Sequence, residues 1–110
     1  MKVEIITHPE FEREFKRLNK KYHSLVDDYK DLLHNLMKRP LQGSSLGMGT
    51  RKVRMGVDSK GGGKSGGMRV ITYAIIQKDP ESIELTLLYI YDKNETESIS
   101  NRFIRFLLDK

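Results

Sequence analysis

The chain has no cysteine, which excludes disulfides, thiolate zinc sites and cysteine nucleophiles, and removes any need for an oxidising compartment. Its three histidines, His8, His23 and His34, lack the spacing of a metal-binding motif, so neither a metal nor a cofactor is expected. No stretch reaches the roughly 20 apolar residues of a membrane span, and the opening MKVEIITHPE holds no apolar run of signal-peptide length. The expectation is a cytoplasmic domain without membrane contact.

Acids are the second scarcity, and a local one. Residues 41–78 contain seven cations (Arg51, Lys52, Arg54, Lys60, Lys64, Arg69, Lys78) and a single acid, Asp58. The rest of the chain is balanced, with thirteen cations against fourteen acids. The net charge of +5 is therefore regional, and a polyanionic partner fits this middle third. At 110 residues the chain reads as one domain spanning 1–110, large enough for a core of its own.

Hydrophobic spacing supplies the elements. VEIIT (3–7) is a short strand, followed by a helix start in which Thr7 and Glu10 fit a capping box around Pro9. Phe11, Phe15, Leu18 and Tyr22 then form one apolar stripe among charged residues. A second helix starts at Ser24, with Asp27 and Asp28 suiting its positive end. It carries Leu25, Tyr29, Leu32, Leu33 and Leu36 up to the stop at Pro40. LQGSSLGMGT reads as a loop. RKVRMGV alternates, with Val53, Met55 and Val57 inward and Lys52 and Arg54 outward.

After the glycine-rich DSKGGGKSGG, the runs MRVITYAIIQ and SIELTLLYIY read as central strands, separated by a turn at Pro80. The C-terminal segment places Ile99, Phe103 and Phe106/Leu107 at helical spacing, with Arg102 and Arg105 outward. The predicted order is β-α-α-β-β-β-α: an α+β domain with a mainly antiparallel four-stranded sheet. Its helices lie on one face, leaving the other for ligand.

Two motifs invite chemistry. Gly63-Lys64-Ser65 mimics the end of a phosphate-binding P-loop, but the first glycine of that motif would fall at Asp58, and the segment joins two strands instead of opening a helix. A mobile basic loop bringing Lys60 and Lys64 to a phosphate backbone is the better functional reading.

The other motif is a set of cations. Lys52 and Arg54, two apart on one strand, leave the same face. With Arg69 opening the next strand and Lys93 just after the last, four cations converge if these strands are neighbours. Such crowding suits a bound anion and lowers a lysine's proton affinity. Cleavage of RNA by its own 2′-hydroxyl needs a proton acceptor, cations on the phosphorane and an acid for the leaving oxygen. Tyr91, at a strand end, is placed to stack on a base. A basic RNA-binding module without chemistry is the alternative.

FEREFKRLNKKYHSL, RPLQGSSLGMGTRKVRM, GKSGGMRVITY and LLYIYDKNETESIS, in this order and spacing, resemble the RelE/HigB branch of the RelE/ParE toxins of type II toxin–antitoxin pairs, over about residues 3–108. The resemblance implies a RelE-like fold and metal-independent cleavage of mRNA, usually in the ribosomal A site. It also implies restraint by a cognate antitoxin, with operator DNA bound only through the antitoxin complex. It places Lys52, Arg54, Arg69 and Lys93 in the catalytic set; beside it, Arg51, Lys60, Lys64 and Tyr91 are expected on RNA from the residues themselves. Ile99 stands where the family's tyrosine is expected, and the glycine-rich insertion is longer. The ParE side of the superfamily shares the fold and poisons DNA gyrase, so this resemblance leaves the two branches to be distinguished.

Overall fold

The computed structural model describes residues 1–61, 67–78 and 80–109. The chain runs β1 (Lys2–Thr7), α1 (Pro9–Lys21), α2 (Leu25–Lys38), β2 (Ser44–Gly47), β3 (Thr50–Met55), β4 (Met68–Lys78), β5 (Glu81–Asp92) and α3 (Asn101–Leu108). One 3-10 turn, Asp58–Lys60, follows β3. The sheet order is β1-β5-β4-β3-β2. β1 pairs parallel to β5, and the remaining ladders are antiparallel.

The α+β class holds, but the expected four-stranded sheet has five strands and is mixed. The additional strand is Ser44–Gly47, inside the segment expected to be loop. Its four residues carry almost no apolar signal, and it pairs with β3 through Ser44–Lys52 and Ser45–Arg51 before a bulge. An edge strand this short and polar leaves no hydrophobic period to detect.

Alternation along β4 and β5 creates two cores. Val70 and Ile90 face α1 and α2, joining Phe11, Leu18, Leu25, Leu36, Val53, Met55 and Val57. Ile71 and Tyr89, one residue along, face the other way. There, with Leu88, they meet Leu107 and Phe103 of α3. At about 1.5–3 kcal/mol per fully buried aliphatic side chain, each helix gains enough to stay docked. The expectation of helices on one face is thus corrected: α3 covers part of the second face. Ile104 and Leu107 are its buried residues, Phe106 is 46% exposed, and Ile99 precedes the helix.

The first helix also starts differently from the capping-box reading. His8 is the N-cap, its Nδ1 accepting from the Glu10 amide at 3.0 Å, while the Thr7 hydroxyl donates to Glu12. Ser24 does precede α2, but without a side-chain cap; its hydroxyl donates to Asp28 at 2.7 Å. No helix among the described residues is long and apolar enough to cross a membrane.

Candidate functional site

The expected cations meet on the second sheet face, where β4 begins and β5 ends. Register fixes what meets there. Arg54 of β3 is opposite Arg69 of β4, which is opposite Tyr91 of β5; two residues along β3, Lys52 is opposite Ile71. Lys93 comes immediately after β5. All four expected cations, Lys52, Arg54, Arg69 and Lys93, line one cavity of about 360 Å³, together with Tyr91. That volume is within the range of small-ligand sites.

The cavity has a buried floor and an open rim. Arg69 is 4% exposed and donates to the Met68 carbonyl at 3.2 Å; Tyr91 is 3% exposed. Arg54 and Lys93 are exposed and Lys52 is half-buried. Burial pushes the Tyr91 phenol up, with Arg69 partly opposing the shift.

Two glycines permit this closeness. A Cβ on Gly67, just before Arg69's strand, would lie 2.2 Å from the Met55 carbonyl oxygen. One on Gly43, in the cavity wall at φ +104°, would lie 2.5 Å from the Lys52 carbonyl oxygen. Both contacts are far inside van der Waals distance, so only glycine lets these backbones approach.

The residues expected on RNA fare differently. Arg51 shares the face of Val53 and Met55, opposite to that of Lys52 and Arg54, and does not line the cavity. Lys60 does not reach outward from a mobile loop. Its ammonium forms an ion pair with Asp92, the two side chains being 6% and 1% exposed. Tyr91 is too buried to lay a ring face on a base; it packs with Ile71, Leu88 and Leu107 and stacks toward Tyr89 at 6.4 Å. Lys64 lies outside the described residues.

Sequence reasoning missed Glu97, the one carboxylate among the described residues lining the cavity, as well as Gln42, Gly43 and Ser44. All four sit in polar, aperiodic stretches, and only the unanticipated pairing of β2 brings the last three to the site. A larger cavity, about 730 Å³, lies between the end of α2 and the β4–β5 hairpin. Its walls include Pro40, Leu41, Ile76 and Ile83, and none of the expected site residues reaches it.

No protein-family model matches the chain, and no curated protein matches it.

Proposed function

We propose that the chain is a RelE/HigB-like toxin: a metal-independent endoribonuclease that cuts mRNA on the ribosome in the cytoplasm, held in check by a cognate antitoxin. The observation that carries this reading is the convergence of Lys52, Arg54, Arg69 and Lys93, from the neighbouring strands β3 and β4 and the exit of β5, on one cavity. The four cations outnumber Glu97, the one carboxylate among the described residues lining the cavity, so their mutual repulsion favours a further anion, and a single phosphodiester has a fitting size.

In this reading Arg54 and Arg69 hold the non-bridging oxygens of the scissile phosphate. The 2′-hydroxyl of the preceding nucleotide attacks phosphorus as Lys52 takes the proton. The P–O5′ bond breaks, and the departing oxygen receives a proton from Lys93. The products are a 2′,3′-cyclic phosphate and a 5′-hydroxyl, so no water or oxidant enters the step. The antitoxin covers the cationic face or blocks access to the ribosome, and the pair represses its own operon through the antitoxin's DNA contacts.

The test is to induce the protein and map mRNA 5′ ends with and without active translation. Codon-phased cuts that vanish when translation is blocked support the reading. DNA breaks and an SOS response without such cuts would assign the chain to the gyrase poisons. Neither effect would leave a basic binding module.

A further inference from the structure

The turn that delivers Lys93 and Glu97 to the cavity is fastened at two depths. At the surface, Arg17 of α1 donates to the Glu95 carboxylate at 2.8 and 3.3 Å, with Lys21 3.4 Å from the same group. Beneath lies the buried pair of Lys60 and Asp92. The second Asp92 oxygen accepts from the Tyr22 hydroxyl at 2.6 Å, and the Lys60 ammonium is 5.2 Å from the centre of the Tyr22 ring.

Asp92 in its own right shapes the backbone of that turn. Its carboxylate accepts from the Asn94 amide at 2.9 Å, and its carbonyl accepts from the Glu95 and Thr96 amides at 3.0 Å. Asp92 is also opposite Met68, the neighbour of Arg69, in the β4–β5 register. Burial alone would raise this carboxyl; donation from Lys60, Tyr22 and Asn94 outweighs it and holds the group below the ordinary carboxylate range.

Desolvating two charges is costly, and an apolar pair of similar size would serve stability as well or better. What an apolar pair could not supply is direction: an ammonium anchors one carboxylate oxygen while the other is taken by Tyr22 and the turn's own amide is satisfied.

We propose that Lys60 is a positioning residue. Clasped between Asp92 and the Tyr22 ring, it fixes the 92–97 turn so that Lys93 and Glu97 are held at the cavity with Arg54 and Arg69. It therefore governs turnover more than RNA affinity. The inference rests on the ribonuclease reading for its kinetic consequence, but not for its structural one.

The experiment compares the full chain with Lys60→Met and Lys60→Arg. In Lys60→Met, kcat for RNA cleavage falls at least about tenfold, while Kd for an all-2′-deoxy substrate analogue changes less than about threefold; Lys60→Arg recovers part of the turnover. The Asn94, Glu95 and Thr96 amide resonances shift in Lys60→Met whether or not RNA is cut. A folded Lys60→Met with wild-type turnover, or with these three resonances unmoved, overturns the proposal. If Lys60→Met does not fold, Tyr22→Phe decides, since it removes only the hydroxyl donated to Asp92: reduced turnover and shifted amides support the clasp, and wild-type values for both refute it. A wild-type chain that cuts no RNA, free or on ribosomes, while the amides respond as expected would sink the ribonuclease reading and leave the clasp standing.

Discussion

Arg54 and Arg69 are directly opposed on neighbouring antiparallel strands, in the position where like charges destabilise a sheet by a few tenths to about 1 kcal/mol. A fold keeps such a pair when something else uses it. Arg54→Met should therefore raise the unfolding midpoint in low-phosphate buffer while weakening RNA binding. Added phosphate should then stabilise the wild type more than the variant, because only a ligand that prefers the folded cavity shifts the midpoint. Thermal melts across a phosphate series check this; a variant less stable than wild type in the absence of phosphate would contradict it.

Arg69 is the buried member of that pair, and its planar fork sits at the cavity floor. Under the proposed function, Arg69→Ala should abolish growth arrest on induction while antitoxin binding persists, with loss of cleavage on the order of 100-fold or more in a purified assay. Circular dichroism must show the fold intact, since the side chain is almost wholly enclosed. Undiminished toxicity would remove Arg69 from the mechanism.

The basis of both predictions is legible in the sequence. Lys52 and Arg54 advertise a shared face by their spacing, and the apolar runs of β4 and β5 identify the central strands, so neighbouring strands bring Arg69 and Lys93 beside them. Pairing without periodicity is what sequence hides. β2 shows no alternation, so neither its place at the edge nor the contribution of Gly43 and Ser44 to the cavity leaves a signal. Lys60 misleads because a lysine beside glycines resembles a solvent-facing cation. Its burial depends on Asp92, 32 residues away, and on Tyr22 at the end of α1. Tyr91 misleads for the related reason that an aromatic at a strand end is exposed only if no helix covers it, and α3 does.

Glu97 brings the one negative charge found among the described residues around the cavity, and under the proposed function it would compete with phosphate for the same cations. Glu97→Gln should tighten binding of a non-cleavable RNA analogue several-fold at low ionic strength. The gain should shrink as salt screens the site over about 10 Å at about 0.1 M. Fluorescence anisotropy at two salt concentrations measures it. Weaker binding in the variant would show that the carboxylate contacts the RNA favourably.

Acid should loosen the turn behind the site. The Arg17 guanidinium donating to Glu95 holds that carboxyl below the ordinary range, and the bonds from Lys60 and Tyr22 do the same for Asp92 against the effect of burial. Because the unfolded chain takes up these protons first, the stability the two groups contribute is full above about pH 5, clear of the ordinary carboxylate range. It declines as pH falls through that range and is lost below the folded-state values. Asp92 should dominate, since the Arg17–Glu95 pair is largely exposed and such pairs are worth at most about 1 kcal/mol. Asp92→Asn should cost about 3–5 kcal/mol near neutral pH, leaving the Lys60 ammonium buried and unpaired, and should flatten the acid dependence below about pH 4. Urea unfolding at closely spaced pH values distinguishes this from general acid denaturation, which would keep its slope in the variant.

Gly67 offers a test confined to backbone geometry. A methyl there would be driven against the Met55 carbonyl oxygen and the Gly56 Cα, both main-chain atoms with no side-chain freedom to yield. Gly67→Ala should therefore push apart the paired ends of β3 and β4, where Met55 faces Met68 and Arg54 faces Arg69. Overpacking of this kind costs about 1–3 kcal/mol. The separation should also weaken phosphate binding at the cavity, because the two guanidinium groups no longer reach one anion together. By contrast, Gly47→Ala, on an exposed position with open space around it, should incur only the cost of its positive φ and leave phosphate affinity unchanged. Equal phosphate affinity in the two variants would mean that the approach of β3 to β4 does not set the spacing of the cations.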